Sequence, residues 1–131
     1  MIQSKELRIG NVVLDKDNNI FTIAGISEGS VFKEGDYIGT PIEWIKPVLI
    51  TEEWLLKLGF EKEKYSSLSI NFFRLKVLSH GTISFYPKEK GFNIELGTTS
   101  GYNFGTTKIE YVHQLQNLYF ALTNEELTFK V

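Results

Sequence analysis

Hydrophobic and polar positions follow two different periods along this chain, and the switch between them divides it into elements. Near the C-terminal end, Tyr111, Val112, Leu115, Leu118, Tyr119 and Leu122 recur at three- and four-residue spacing, the period of one helix face. Thr107 and Glu110 form a T-x-x-E pair just ahead of that run, a capping box that satisfies two orphan backbone donors reciprocally. The pattern therefore predicts one amphipathic helix within residues 107–127. Upstream, short apolar runs alternate with turn residues. Strands are predicted over 7–14, 20–26, 30–33, 36–39 and 42–46, separated by a Gly-Asn kink, the DKDNN cluster, the Glu34-Gly35 turn and the prolines Pro41 and Pro47. Five short strands of this kind suggest a small SH3-like barrel or roll over residues 1–50.

After Pro47 the period changes again. Thr51 reads as an N-cap, Glu52 and Glu53 sit where the helix dipole favours acids, and Gly59 reads as the stop of a two-turn helix presenting Trp54, Leu55 and Leu58. The EKEK run at 61–64 reads as a solvated charged turn and the best internal boundary. Residues 68–78, 82–86 and 92–96 then predict a three-stranded antiparallel meander, extended by a fourth strand through Tyr102 and Phe104, with the long helix across one face. The expected fold is α+β: an SH3-like β module over 1–50, then short helix, β-meander and main helix over 51–131, forming one compact unit.

Composition narrows the function more than it identifies it. The 131 residues are 42% hydrophobic, with ten Phe and six Tyr, ample for a packed interior and unlike a disordered chain. A net charge of −2 leaves no broad basic footprint for nucleic acid. With no cysteine, disulfides, thiolate zinc sites and cysteine nucleophiles are excluded together. The start MIQSKELRIG lacks the apolar core of a signal peptide, and no apolar run is long enough to span a bilayer. A cytoplasmic protein without membrane contact is expected.

Two stretches could carry binding chemistry. The first is residues 97–108, GTTSGYNFGTTK, where glycines, hydroxyls and Lys108 precede the predicted helix. Gly101, Tyr102, Phe104, Gly105, Thr106, Thr107 and Lys108, with Trp44 as a stacking surface, would suit a phosphorylated or nucleotide ligand. The loop is not a Walker A motif, and the same residues suit a plain Gly-rich hairpin. The second is the far side of the long helix. His113, Gln116, Asn117 and Phe120 form a stripe, and from Tyr111 to Leu122 the helix carries no Lys, Arg, Asp or Glu. Exposed helix faces normally do. The stripe suits either contact with a protein partner, a second copy included, or burial against the chain's own N-terminal module. The tryptophans Trp44 and Trp54 are expected to fill the space between the halves. His80 and His113 have no metal-ligand spacing, no G-x-S-x-G elbow is present, and the acid pairs lie at helix starts. No catalytic residue, metal or cofactor is expected.

Three segments, LRIGNVV at 7–13, PVLITEEWLLKLGF at 47–60 and YVHQLQNLYFALTNEEL at 111–127, resemble a family of small uncharacterised proteins from bacteriophages and prophages of Bacteroidetes-type bacteria. The resemblance spans nearly the whole chain, although the central hairpins carry no motif. It implies a phage or prophage accessory protein acting inside the bacterial host cell, and it assigns no activity and no site residue. The leading expectation is a non-enzymatic binding protein working by protein–protein contact, with a host or phage protein or with itself. The alternative is sequestration of a phosphorylated host-defence signal at the 97–108 loop. A small barrel binding nucleic acid ranks third, disfavoured by the acidic balance of residues 1–65.

Overall fold

The computed structural model describes residues 2–65, 70–77, 81–98, 103–104 and 109–129. The protein is α+β, its sheets antiparallel and two α-helices present among the described residues. It forms two compact units, Met1–Leu49 with Tyr111–Leu118, and Ile50–Glu110 with Tyr119–Val131. Residues 111–118 thus join the N-terminal unit, where the sequence pattern grouped them with 51–131.

The first unit is built from very short strands. β1 (Val12–Leu14) pairs with β2 (Ile20–Thr22) around the DKDNN turn. β3 (Gly25–Ser27), β4 (Ser30–Phe32) and β5 (Thr40–Pro41) form a second antiparallel sheet. Three expectations are corrected here. Residues 7–11 are not strand: Asn11 accepts from the Arg8 backbone N–H through its side chain at 2.7 Å and donates its own N–H to the Arg8 carbonyl at 3.1 Å, a local turn that competes with any ladder. Residues 36–39 are not strand either, since the Asp36 N–H turns back onto the Lys33 carbonyl and Gly35 takes φ +80°. Ile42–Trp44 is a 3-10 turn, begun by Pro41, which has no N–H to extend a ladder. Only a bridge between Leu14 and Lys46 returns the chain to β1. The two sheets remain separate, and no closed barrel forms among the described residues. Ile2, Leu7, Val13, Ile23, Val31, Ile42 and Ile45 form the buried cluster, with Phe21 packed against it.

The second unit is regular. α1 (Glu52–Lys57) starts where Thr51 Oγ1 accepts from the Trp54 N–H at 3.2 Å and stops before Gly59, which takes φ +95°. β6 (Glu61–Tyr65), β7 (Ile70–Val77), β8 (Gly81–Pro87), β9 (Phe92–Thr98) and β10 (Asn103–Phe104) form one sheet in the order β10-β9-β8-β7-β6. The EKEK run is therefore an edge strand and not a turn. Its alternating charges suit an edge that must not recruit another strand, and Glu63 pairs with Arg74 at 2.9 Å. Phe73, Phe85 and Ile94 line up across three strands on one face, and Phe85 meets Phe60 and Phe92 edge-on at 5.4 and 5.8 Å. Trp54 is buried against Phe129.

α2 (Val112–Thr123) is shorter than the predicted helix. Residues just ahead of it are extended: Tyr111 bridges Leu49, and the Val112 N–H donates to the Val48 carbonyl at 2.8 Å. Thr107 lies outside the described residues. The observed cap is Gln114, whose Oε1 accepts from the Tyr111 N–H at 3.1 Å. The helix ends at Asn124, which takes φ +60° and donates to the Phe120 carbonyl, an αL stop with Asn in the role usual for glycine.

Candidate functional site

The first two turns of α2 explain the missing charges on the helix. Val112, Leu115, His113 and Gln116 are all buried, so this part of the helix has almost no wet side. The polar groups of the stripe are used within the first unit. Gln116, 2% exposed, accepts from the Val12 N–H at 2.8 Å and donates to the Gly10 carbonyl at 3.0 Å. Its two-headed amide thus completes both backbone groups beside the Gly10-Asn11 kink, where Gly10 takes φ +99° and a side chain would be strained. One helical position further, Asn117 donates to the Glu6 carbonyl at 2.7 Å and accepts from Arg8 Nη1 at 2.8 Å and Asn11 Nδ2 at 2.9 Å. Five residues of the 6–12 segment are held by two adjacent amides. A charged side chain at either position could supply only donors or only acceptors, which gives a physical reason for the uncharged face.

His113 occupies the same face and differs from its neighbours. It is 0% exposed, and neither ring nitrogen has a hydrogen-bond partner. Its ring lies parallel to Tyr111 with centroids 6.0 Å apart. The closest acidic group is Glu6, Oε1 of which is 3.5 Å from Nε2, beyond good hydrogen-bond range. Glu6 Oε2 already accepts from the Gln3 N–H at 2.8 Å. Burial pushes the imidazole below its ordinary 6.5, and Glu6 opposes that only in part. Glu6 itself is held below the usual carboxylate range, first by the Gln3 backbone bond and then by His113.

Of the stripe assigned to a partner surface, His113 and Gln116 are thus buried and Asn117 is engaged with residues 6–11. Phe120 is half-buried and belongs to the second unit. The ligand set fares differently. Gly101, Tyr102, Gly105, Thr106, Thr107 and Lys108 lie outside the described residues, and Phe104 is placed only as backbone of β10. Trp44 is not a filler of the interior: it is 48% exposed, with Lys16 Nζ over its ring at 4.7 Å. Among the described residues no group of three His, Asp or Glu side chains could hold a metal ion, and no helix is long and apolar enough to cross a membrane.

Sequence reasoning missed two features. The partners of the stripe, Arg8 and Asn11, fall within the strand predicted over 7–14, although the Gly-Asn pair marks the kink they occupy. The other is the β4–β5 loop, where Tyr37 is 99% and Ile38 84% exposed. Assigning 36–39 to a strand hid them. The loop is anchored at its far end by Gly39, where an added Cβ would stand 2.7 Å from the Ser30 Cβ and 3.0 Å from the Phe32 ring. Across the unit, Asp15 closes the β1–β2 turn by accepting from the Asn19 and Asp17 N–H groups at 2.9 Å each and from Lys33 Nζ at 3.0 Å. These bonds, the Asn19 one foremost, lower its carboxyl from 3.8 to about 2.

No family model, curated protein or solved structure matches the chain.

Proposed function

We propose that this chain is a non-enzymatic accessory binding protein of phage or prophage origin, acting in the host cytoplasm through protein–protein contact. The setting rests on the resemblance carried by residues 7–13, 47–60 and 111–127. The observation that carries the contact is the Tyr37-Ile38 pair. A loop tip held on a tight turn at one end and a packed glycine at the other presents an aromatic and a β-branched side chain almost wholly to water. Covering each would contribute about 1.5–3 kcal/mol, and Tyr is among the residue types that interfaces favour. On α2, Gln116 and Asn117 are engaged with residues 6–12 and His113 is buried, so the loop is the better working surface. The five short strands of the first unit support reading it as an open SH3-like roll that displays this loop.

The test is native mass spectrometry of the protein purified gently from a bacterial host, beside the double variant Tyr37→Ser/Ile38→Ser. The expected result is an assembly, a dimer or a captured protein, that the variant loses while its circular dichroism stays unchanged. A bare monomer from the native sequence, or the same assembly in the variant, overturns the reading.

A further inference from the structure

We propose that His113 is a proton-operated release for the N-terminal segment that Gln116 and Asn117 clasp on helix α2. The argument begins with an imbalance. The two amides on this face make five hydrogen bonds to residues 6–12, whereas the imidazole on the same face makes none. A buried polar group left without a partner costs about 1–3 kcal/mol, so a phenyl or leucyl side chain would serve packing better. What imidazole adds is a charge that switches in the physiological range.

The charged groups around it decide which way the switch works. Among the described residues, Glu6, the last residue of the 3-10 turn Ser4–Glu6, is the one charged group acting on the ring. Its near oxygen stands 3.5 Å away, and its other oxygen is committed to the Gln3 N–H. Arg8, further along the same segment, is held on Asn117 Oδ1. Helix α2 contributes no Asp, Glu, Lys or Arg of its own, and Tyr111 contributes a ring face. A proton added to His113 would therefore sit on a fully buried ring whose charged partner is one carboxylate oxygen at 3.5 Å, beyond good hydrogen-bond range. The folded clasp favours the neutral ring. Such a group binds more protons in the open state than in the closed one. The stability it confers is present in full above the ordinary 6.5, and is lost as pH falls through that value towards the lower folded-state one. Acidification would loosen Glu6, Arg8, Gly10, Asn11 and Val12 from α2 together, because all five are held by the turn that follows His113.

The experiment uses the full chain. Imidazole resonances are followed by NMR from about pH 8 to about pH 5, with His113→Phe distinguishing His113 from His80. In parallel, melting temperatures are compared at about pH 8 and about pH 5.5 for the native sequence, His113→Phe and Glu6→Gln. Three results are expected. His113 titrates below 6.5; the native melting temperature falls on acidification; and the fall is smaller in His113→Phe and larger in Glu6→Gln, which loses the one compensating charge. A His113 titrating at or above 6.5 would mean that Glu6 captures the proton and tightens the clasp, and overturns the proposal. So does an acid response that His113→Phe leaves unchanged. The NMR titration needs only the native protein, so the proposal stays open to refutation even where the phenylalanine variant fails to fold.

Discussion

The first unit has strands of two or three residues, and the second has strands of up to eight. That difference forces two ways of satisfying buried backbone. In the second unit the ladders between β6, β7, β8 and β9 pair most main-chain groups directly, leaving the side chains free to pack, and the interior fills with Phe60, Phe73 and Phe85, with the half-buried Phe92 against Phe85. In the first unit the ladders are too short for that. Side chains take over the backbone bonding: Asp15 in the β1–β2 turn, Asn11 at the kink, and Gln116 and Asn117 from helix α2. Both units bury apolar side chains, but among the described residues only the first adds stitches between polar side chains and backbone where its ladders run out. Each unit also holds one tryptophan, Trp44 in the first and Trp54 in the second, so single-tryptophan variants report each unit's unfolding separately.

The largest expected effect is on the apolar side of the comparison. Phe85 is wholly buried and meets Phe60 and Phe92, so Phe85→Ala should cost about 3–5 kcal/mol in a urea melt followed through Trp54. A cost below about 1 kcal/mol would show that the sheet face is not a tightly packed interior. Next comes Gln116→Leu, which keeps the volume and strands the Val12 N–H and the Gly10 carbonyl. One buried and one part-buried group left unpaired should cost about 2–4 kcal/mol, read through Trp44. If the leucine is neutral, water replaces the amide and the stitching account of the first unit fails.

Asp15 sharpens the comparison by pH. Its carboxyl is lowered to about 2 by the backbone and Lys33 bonds, so the folded state binds fewer protons than the unfolded state between that value and 3.8. The stability it adds is whole above 3.8 and drains away as pH falls towards 2. Asp15→Asn should flatten the acid side of the Trp44 melting curve in that window and leave the Trp54 curve as it was. Equal acid sensitivity in both proteins would remove Asp15 from the explanation.

The two units also differ in how far their sequences disclose them. Helix α1 is legible because every signal is local: Thr51 caps, Glu52 and Glu53 complement the dipole, and Gly59 supplies the left-handed stop. The meander is legible from its alternation, except at its edge. EKEK has the composition of a turn, and only pairing with β7, which starts several residues later, makes it a strand. The first unit hides its organisation for the same reason on a larger scale. Nothing near Gly10 or Asn11 says that amides more than a hundred positions away complete their bonds. The uncharged stripe signalled that His113, Gln116 and Asn117 face something other than water. It could not say that the something was residues 6–12. Likewise the β-period over 36–39 suggested a strand, and the turn back at Lys33 left Tyr37 and Ile38 in solvent.

The smallest effect tests whether the contrast lies in the bond type or in its burial. Thr51 Oγ1 makes for the Trp54 N–H the same kind of side-chain-to-backbone bond that Gln116 makes for the Val12 N–H. The difference is that Thr51 is exposed, so water can reach the N–H once the hydroxyl is gone. Thr51→Ala should therefore cost about 0.5–1 kcal/mol, at the low end for an N-cap, whereas Gln116→Leu costs several times more. Thr51→Ser, which keeps the acceptor, should recover most of the loss. If instead Thr51→Ala equals Gln116→Leu, the number of such bonds decides stability and their burial does not. The first unit would then owe its cohesion to Asn11, Asp15 and Asn117 as much as to the two bonds of Gln116.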